Sequence, residues 1–240
     1  MPPEKGTGKK EEIMSFNIAI DGPAGAGKST IARKAAGRLS FLYVDTGAMY
    51  RAIALGLLER KTNLQDAEDL KKALAEISVT IRYDGQGQQQ VFLNGENVSS
   101  QIRDEEVGKM ASASSAIPQV REKLTDLQRG LARKENVLMD GRDIGTVILP
   151  EAQLKIYLTA SVGVRAARRY QELKEKGIPC SLQEIEKDIR DRDERDKNRS
   201  VAPLRQAEDA VRIDSSEMTV EEVTERIVAL ARERMGENRA

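Results

Sequence analysis

A glycine-rich segment at residues 22–30 carries the residue types and spacing best suited to chemistry in this sequence. It reads GPAGAGKST and matches G-x-x-x-x-G-K-[ST], the pattern of loops that bind the phosphates of nucleoside triphosphates. Glycines let such a backbone wrap around phosphate, and its free N–H groups then form an anion-binding nest. Lys28 would bring a mobile positive charge to the outer phosphates, and the Ser29 hydroxyl would bind Mg²⁺.

The surroundings of this loop agree with that interpretation. Residues 16–21 (FNIAID) form a mostly apolar run typical of a buried parallel strand, and residues 31–36 (IARKAA) are good helix formers. A helix that starts directly after the loop would add its positive N-terminal end to the phosphate site. The alternative is a glycine-rich turn that happens to precede a helix, and the Lys28-Ser29 pair argues against it.

The composition restricts the chemistry further. The 240 residues include no histidine, so His-based nucleophile triads, His metal sites and His general bases are excluded. Catalysis must then depend on Lys, Arg, Asp, backbone amides and Mg²⁺, which are the usual components of phosphoryl transfer. The 39 basic and 39 acidic side chains balance, so no strong attraction to nucleic acid or to a membrane is expected.

The location of the protein can be predicted in outline. No apolar run is long enough to span a bilayer, and no apolar segment follows the N-terminal lysines as in a secretory signal. The single cysteine, Cys180, rules out an internal disulfide and fits a reducing cytoplasm. We therefore expect a cytoplasmic monomer with a flexible polar tail at residues 1–14.

Five short apolar runs are predicted to form a parallel sheet with helices on both faces, because helical stretches separate them. In such a sheet, ligands bind at the carboxyl ends of the strands. Polar and acidic residues follow the runs there, including Asp21, Asp45, Asp140 and Asp214, although Asp is also an ordinary helix N-cap. The five runs are residues 16–21, 41–44, 136–139, 154–158 and 210–213.

Residues 75–103 depart from this repeat. Their hydrophobicity alternates around two turn signals, residues 84–87 and Asn94-Gly95, which predicts an antiparallel hairpin or a three-stranded insert. After the insert, apolar residues at helical spacing between residues 120 and 131 predict a long amphipathic helix.

Residues 165–205 are dense in charge. One helical face there changes from apolar to ionic along its length: Leu182, Ile185, Ile189, Arg192, Asp196 and Arg199. One interpretation is a solvated helix end, whose ion pairs would contribute only ~0.3–0.5 kcal/mol each. Because the ionic residues extend an apolar stripe, we favour a mobile arginine-bearing segment that closes on a triphosphate and stabilises transition-state charge.

Four segments together resemble one family. They are residues 20–30 (IDGPAGAGKST), 45–51 (DTGAMYR), 140–147 (DGRDIGTV) and 192–199 (RDERDKNR), the last followed by Ala202-Pro203. In this order and spacing the chain resembles the bacterial cytidylate kinases, a branch of the nucleoside-monophosphate kinases, over about residues 16–235. The resemblance implies an α/β P-loop kinase fold, in which helices flank a five-stranded parallel sheet and a small antiparallel β insert and a helical lid are added.

The resemblance also implies the domains and the reaction. The core would comprise residues 15–74, 104–164 and 206–240, with the monophosphate-binding insert at 75–103 and the lid at 165–205. The enzyme would use Mg²⁺ and transfer the γ-phosphoryl group of ATP to CMP, with dCMP as a second acceptor. Ser29 would bind the metal. The residues implied to contact ATP are Gly22, Pro23, Ala24, Gly25, Ala26, Gly27, Lys28, Ser29 and Thr30.

The acceptor site follows from the same resemblance. Arg51 and Arg142 would clamp the acceptor phosphate, because guanidinium forks suit bidentate phosphate contacts. The residues implied to surround the cytosine ring are Ser112, Arg121, Asp143 and Arg199, and those near the sugar are Thr46, Arg192 and Asp196. The implied catalytic residues are Lys28, Arg142 and Arg192.

Three of these positions keep an alternative. Ser114 could take the place of Ser112 if the register slips, and Arg121 could be a surface arginine on its helix. Asp140 could anchor the phosphate-binding loop, or it could support Mg²⁺ from behind the metal's own ligands.

Other functions compete with this one. A kinase for adenylate, thymidylate or a metabolite shares the loop, but the insert and residues 140–143 argue against it. A GTPase switch is disfavoured because residues 84–87 fit D-x-x-G only within the turn of the insert, and no N-K-x-D segment occurs. A nucleic-acid binder is disfavoured by the balanced charge and the 3% aromatic content.

Overall fold

The computed structural model describes residues 15–237, so the predicted tail at residues 1–14 lies outside the described residues. Strands and helices alternate along most of the chain, as expected for an α/β protein. In chain order the elements are β1 (Asn17–Asp21), α1 (Lys28–Leu39), β2 (Leu42–Asp45), α2 (Thr46–Glu59), α3 (Ala67–Glu76), β3 (Val79–Tyr83), β4 (Gln89–Leu93), β5 (Glu96–Asn97), a 3-10 turn (Gln101–Arg103), α4 (Glu105–Ser114), α5 (Pro118–Lys134), β6 (Val137–Gly141), a π-helical turn (Ile144–Ile148), β7 (Leu154–Thr159), α6 (Val162–Glu175), α7 (Leu182–Asn198), β8 (Val211–Asp214) and α8 (Val220–Glu237).

Five strands of the described chain form one parallel sheet in the order β2-β6-β1-β7-β8. These are the five apolar runs predicted from the sequence, each within one or two residues of its expected bounds. The register aligns the ends of neighbouring strands, so that Asp140 of β6 lies beside Ile20 of β1 and beside Asp45 of β2. The polar residues at the strand exits are thereby collected at one edge of the sheet, where ligands bind in such folds.

The strands are apolar on both faces because helices cover both. Ile18 and Ile20 point to a cluster with residues of α1 and α8, whereas Ala19 between them points to a cluster with residues of α2 and α5. This alternation is the period of two that a strand imposes on its side chains. The predicted amphipathic helix is α5, which buries Val120 and Leu124 against the second cluster.

Residues 79–97 form a separate antiparallel sheet in the order β3-β4-β5, which confirms the predicted β insert. The third strand is Glu96–Asn97, directly after the turn predicted at Asn94-Gly95. Val91 and Leu93 of β4 are buried in the cluster that includes α2. The insert is therefore packed against the helix that follows β2.

The charged segment forms an antiparallel pair of helices, α6 and α7. Ile185 and Ile189 pack against Ala166 of α6, as the apolar stripe predicted. Leu182 differs from that prediction, because it is the first residue of α7 and is 44% exposed. The apolar contact between the two helices thus begins one turn later than the stripe suggested.

Within residues 15–237, no helix has both the length and the apolar character needed to cross a membrane.

Asp21 joins the end of β1 to the π-helical turn. Its carboxylate accepts hydrogen bonds from the N–H groups of Ile144 and Gly145, each at 2.7 Å. The side chain is buried, and desolvation raises its pKa to about 6, although the two backbone hydrogen bonds oppose that shift. The two hydrogen bonds from Ile144 and Gly145 fix where the segment after β6 leaves the sheet.

The raised pKa of Asp21 predicts a pH-dependent stability. The folded protein binds this proton more readily than the unfolded chain, so the resulting stabilisation is full below the unfolded pKa of 3.8 and is lost as the pH rises through about 6. Lowering the pH from about 7 to about 5 should shift the unfolding free energy of the wild type, relative to Asp21→Asn, by about +1 kcal/mol. Urea unfolding of both proteins at the two pH values measures this shift. If the wild type and Asp21→Asn differ in unfolding free energy by the same amount at both pH values, the pKa of Asp21 is not raised.

Candidate active site

A cavity of about 880 Å³ opens at the carboxyl edge of the parallel sheet. This volume is at the upper end for a small-molecule site, so it offers room for a donor and an acceptor together. All nine residues that the sequence assigned to the acceptor line it: Thr46, Arg51, Ser112, Arg121, Arg142, Asp143, Arg192, Asp196 and Arg199. Residues separated by up to 153 positions, from Thr46 to Arg199, are thus brought to one chamber.

The glycine-rich loop forms one wall of this cavity. Gly27 has a φ of 85°, a left-handed conformation that favours glycine, and it directly precedes α1. A Cβ on Gly22 would lie 1.9 Å from the carbonyl oxygen of Leu158, so this position excludes any side chain. Six of the nine loop residues line the cavity (Ala24, Gly25, Gly27, Lys28, Ser29 and Thr30), whereas Gly22, Pro23 and Ala26 are buried behind it.

Lys28 is the first residue of α1, and its side chain is folded into the loop. Its Nζ donates to the carbonyl oxygen of Pro23 at 2.7 Å. Burial lowers the pKa of Lys28 well below its usual value, and the nearby guanidinium of Arg142 acts in the same direction. An anion in the cavity would reverse that effect, since it would stabilise the charged amine.

Asp140 lies beneath the loop, where it contacts the residue expected to bind metal. Ser29 Oγ donates to Asp140 Oδ2 at 3.0 Å, and the Tyr43 hydroxyl donates to Oδ1 at 2.9 Å. Thr46 Oγ1 donates to the backbone carbonyl of Asp140 at 2.7 Å. Burial raises the pKa of Asp140 to about 6. Both alternatives for Asp140 therefore agree with its position, because it anchors the loop and orients the Ser29 hydroxyl.

One acid and two arginines form a buried cluster on the acceptor side. Arg121 and Arg199 both donate to the carboxylate of Asp143, the second at 3.3 Å. Arg121 is buried, which answers the alternative that it is a surface residue of α5. Desolvation raises the pKa of Asp143, and the two guanidinium groups oppose that shift.

The two serines of α4 lie in different environments. Ser112 lines the cavity, and its buried hydroxyl has no hydrogen-bond partner among the described residues. Ser114 is fully buried and does not line the cavity. The geometry therefore favours Ser112 over Ser114 as a ligand contact.

Three further arginines face the centre of the cavity. Arg142 donates through Nε to Asp196 at 2.9 Å, and Arg51 donates to the carbonyl oxygen of Ile102 at 2.9 Å. Burial and the nearby charge of Arg142 lower the pKa of Arg192 to about 10. In the described part of the chain, Nε of Arg192 is buried without a hydrogen-bond partner. An unsatisfied buried cation next to other cations is the environment that an oligophosphate would complete.

Arg165 is a central residue that the sequence analysis missed. It is buried, and its guanidinium forms a two-point ion pair with Asp193 of α7, with Nη1–Oδ1 and Nη2–Oδ2 distances of 3.0 and 2.5 Å. It also donates to the carbonyl oxygen of Ala24 in the loop at 2.9 Å. The signal for it was the position of α6 directly after the β7 exit at Thr159-Ala160, where ligand-site residues are expected.

The segment after β8 was also missed. Ser215, Met218, Thr219, Val220 and Val223 line the end of the cavity next to the loop. Arg168 of α6 holds this segment through a 2.7 Å bond from Nη2 to the carbonyl oxygen of Ser215. The sequence offered only the strand exit at Asp214 as a signal, because these residue types are common in turns and helix starts.

The ion pair of Arg165 predicts a large effect on stability. Arg165→Met would leave the Asp193 carboxylate buried without its partner, so the unfolding free energy should fall by ~3–5 kcal/mol. Arg169→Met on the same helix is the matched control, because Arg169 is half-exposed and pairs with Glu172 at the surface. That control should lose no more than ~1 kcal/mol. Urea unfolding of both variants makes the measurement, and equal small losses would contradict the structural role of Arg165.

Comparison with known proteins identifies the family. A family model described as cytidylate kinase matches residues 18–233. A cytidylate kinase of Halalkalibacterium halodurans is 49% identical over 223 residues, which cover 93% of this chain and 100% of the relative. A cytidylate kinase of a Geobacillus species is 48% identical over 222 residues, covering 92% and 99%. One from Streptococcus pneumoniae is 46% identical over 223 residues, covering 93% and 100%.

These relatives match the chain across the loop, the insert and the arginine-rich helices, not over the loop alone. That coverage supports the predicted family rather than the adenylate or thymidylate kinases and the GTPase switches. Taken with the cavity that joins the phosphate-binding loop to the cluster around Asp143, the match shows that the chain belongs to the cytidylate kinase family.

Proposed function

We propose that this protein transfers the γ-phosphoryl group of ATP to CMP, giving ADP and CDP, and that dCMP is a second acceptor. The observation that carries the proposal is the single cavity in which a phosphate-binding loop faces a buried cluster of Arg121, Asp143 and Arg199. A triphosphate donor and a cytosine-bearing acceptor would then lie in one chamber with arginines between them.

The donor would bind along the loop. Backbone N–H groups between Gly25 and Ser29 would surround the phosphates, and the start of α1 would add its positive end. Lys28 would exchange its hydrogen bond to Pro23 for a phosphate oxygen. The segment between Ser215 and Val223 would lie along the nucleoside, because it continues the same wall of the cavity.

The acceptor base would be recognised by the Asp143 cluster. Cytosine presents an exocyclic amino donor beside the acceptors N3 and O2, so a carboxylate can accept from the amine while arginine and serine donate to the ring. Asp143 would serve the amine, and Arg121, Arg199 and Ser112 would serve the acceptors. Uracil presents a carbonyl in place of the amine, which would face the carboxylate unpaired and be rejected.

The transferring group would be stabilised by charge. Arg51 and Arg142 would clamp the acceptor phosphate, Thr46 and Asp196 would contact the sugar, and Arg192 would neutralise the equatorial oxygens as the group passes. The acceptor oxygen is already anionic, so the reaction needs no strong general base. This agrees with a chain that has no histidine.

Magnesium fits the same site. Ser29 is the residue that would hold it, and the bond from its hydroxyl to Asp140 supplies the outer contact that orients such a ligand. Within residues 15–237 no group of three or more acidic, His or Cys side chains is placed to hold a metal. Mg²⁺ keeps several of its waters and binds through few protein groups together with the phosphates of a nucleotide. When bound, the metal would neutralise charge on the transferring phosphates.

Closure of α6 and α7 would complete the site. Residues 165–205 carry Arg192, Asp196 and Arg199 from α7 and its end into the cavity, and closing them would exclude water that could otherwise hydrolyse ATP. Three further predictions accompany this proposal: the domain division given above, a monomeric state and a cytoplasmic location. The predicted location rests on the single free cysteine, Cys180.

Lys28→Ala should reduce kcat for CDP formation by at least about a thousandfold, the scale of effect known for cations that stabilise a transferring phosphoryl group. Lys34→Ala, on the exposed side of the same helix, is the control and should retain the wild-type rate, because Lys34 forms a surface ion pair with Glu221 and lies outside the cavity. A coupled ADP-release assay measures both variants. Substantial turnover by Lys28→Ala would contradict the assignment of residues 22–30 as the loop that binds the phosphates of ATP.

Asp143→Ala should raise the KM for CMP by about 10- to 100-fold, since a charge-assisted hydrogen bond contributes about 1.5–3 kcal/mol. The KM for ATP should change little, because Asp143 lies with the acceptor cluster. Asp126→Ala, at an exposed position of α5 outside the cavity, is the control. Steady-state kinetics with each substrate varied in turn decides the matter. Equal effects on the two KM values would argue that Asp143 does not recognise the base.

A further inference from the structure

The insert is attached to the parallel sheet by side chains that bond to the outer edge of β2. This strand is the outermost of its sheet, so within the described chain no strand pairs with that edge. The Tyr83 hydroxyl donates to the carbonyl oxygen of Tyr43 at 2.9 Å. Gln89 accepts from the N–H of Asp45 through Oε1 at 2.9 Å and donates through Nε2 to the carbonyl oxygen of Asp45 at 3.1 Å.

Gln89 thus does for Asp45 what the N–H and C=O groups of one residue in a neighbouring antiparallel strand would do. A side-chain amide has an acceptor and a donor side by side, so it can satisfy both backbone groups of one residue. A carboxylate could only accept, and an apolar side chain could do neither. The residue type is therefore matched to the pair of bonds that it makes.

Asp45 is the point at which this contact reaches the acceptor site. It is the last residue of β2, and its carboxylate caps α2 by accepting from the N–H of Ala48 at 2.9 Å. Thr46 follows it directly, and Arg51 lies in the second turn of the same helix. Fixing the backbone of Asp45 therefore fixes the start of the helix that presents both residues to the cavity.

Side-chain packing alone does not hold this junction. A second cavity of about 230 Å³ lies between the insert and the core beside the Gln89 contact. Its lining is mostly polar and includes Arg33, Asp45, Gln88, Gln90 and Arg103. Apolar packing holds the insert against α2, but space and polar groups lie at the edge of β2, where the three hydrogen bonds make the contact.

We propose that Gln89, supported by Tyr83, is a positioning residue that couples the insert to the first turn of α2 and so determines affinity for the acceptor nucleotide. The inference rests on the proposed function, in which α2 carries two contacts to the acceptor. The loop at residues 22–30 is built on β1 and α1 and is part of neither α2 nor the insert, so the effect on ATP should be smaller than the effect on CMP.

Gln89→Met tests the coupling, because methionine keeps the length of glutamine and loses both hydrogen bonds. The KM for CMP should rise about tenfold, the equivalent of about two hydrogen bonds of intermediate strength, while the KM for ATP stays within about twofold. Gln90→Met is the matched control on the neighbouring residue of β4. Its side-chain bonds, to Asp84 and Asn97, stay within the insert, so neither KM should change.

Tyr83→Phe is the second variant, since it removes one hydroxyl and preserves the ring. It should raise the KM for CMP about threefold with the KM for ATP unchanged. An unchanged KM for CMP in folded Gln89→Met overturns the inference. So does a parallel change in both KM values, because a purely structural defect would not select the acceptor.

Arg51→Ala, measured in the same assay, separates this inference from the proposed function. An unchanged KM for CMP in Arg51→Ala would refute the acceptor clamp on α2 itself, and the coupling with it. A raised KM in Arg51→Ala together with an unchanged KM in Gln89→Met would leave the clamp in place and refute the coupling alone.

Discussion

The active-site end of this structure depends on one buried carboxylate. Asp140 accepts from Ser29 in the phosphate-binding loop and from Tyr43 in β2, and its own carbonyl accepts from Thr46 at the start of α2. Three segments that lie 94 to 111 positions before Asp140 in the chain therefore share this one residue of β6. A carboxylate this deeply buried is costly unless its oxygens are hydrogen-bonded, and the donors that satisfy it are supplied by the segments that it joins.

The rest of the cavity follows a rule of paired charge. Asp143, Asp193 and Asp196 each bond to at least one arginine. The pairs of Asp143 and Asp196 connect α5 and α7 to the segment after β6, and the pair of Asp193 connects α7 to α6. Such pairs add little net stability in the interior, but they fix which groups meet. Lys28 and Arg192 carry pKa values lowered by burial and by nearby cations, so the chamber as a whole is prepared for anions. The acid–arginine pairs join its walls, and the remaining cations are the charges that a bound anion would neutralise.

The sequence predicted most of this because the relevant signals are local. A strand, a glycine-rich loop and a helix follow one another within about twenty residues, and each apolar run reads directly as a strand. The family resemblance supplied the acceptor residues, which local patterns could not have brought together. Arg165 was missed because its role depends on Asp193, 28 positions away, and on a loop carbonyl 141 positions away. Leu182 was misjudged because helical spacing gives a face but not the point at which a partner helix begins to cover it.

The contacts of Tyr83 and Gln89 have one more effect, on solubility. An outermost strand exposes unpaired N–H and C=O groups to which a strand of another molecule can add, and proteins avoid this by shortening or covering such edges. β2 has only four residues, and the insert already occupies backbone groups of Tyr43 and Asp45 on its outer side. The insert therefore protects this edge of the sheet against intermolecular strand pairing, and loss of its contacts would expose a template for aggregation.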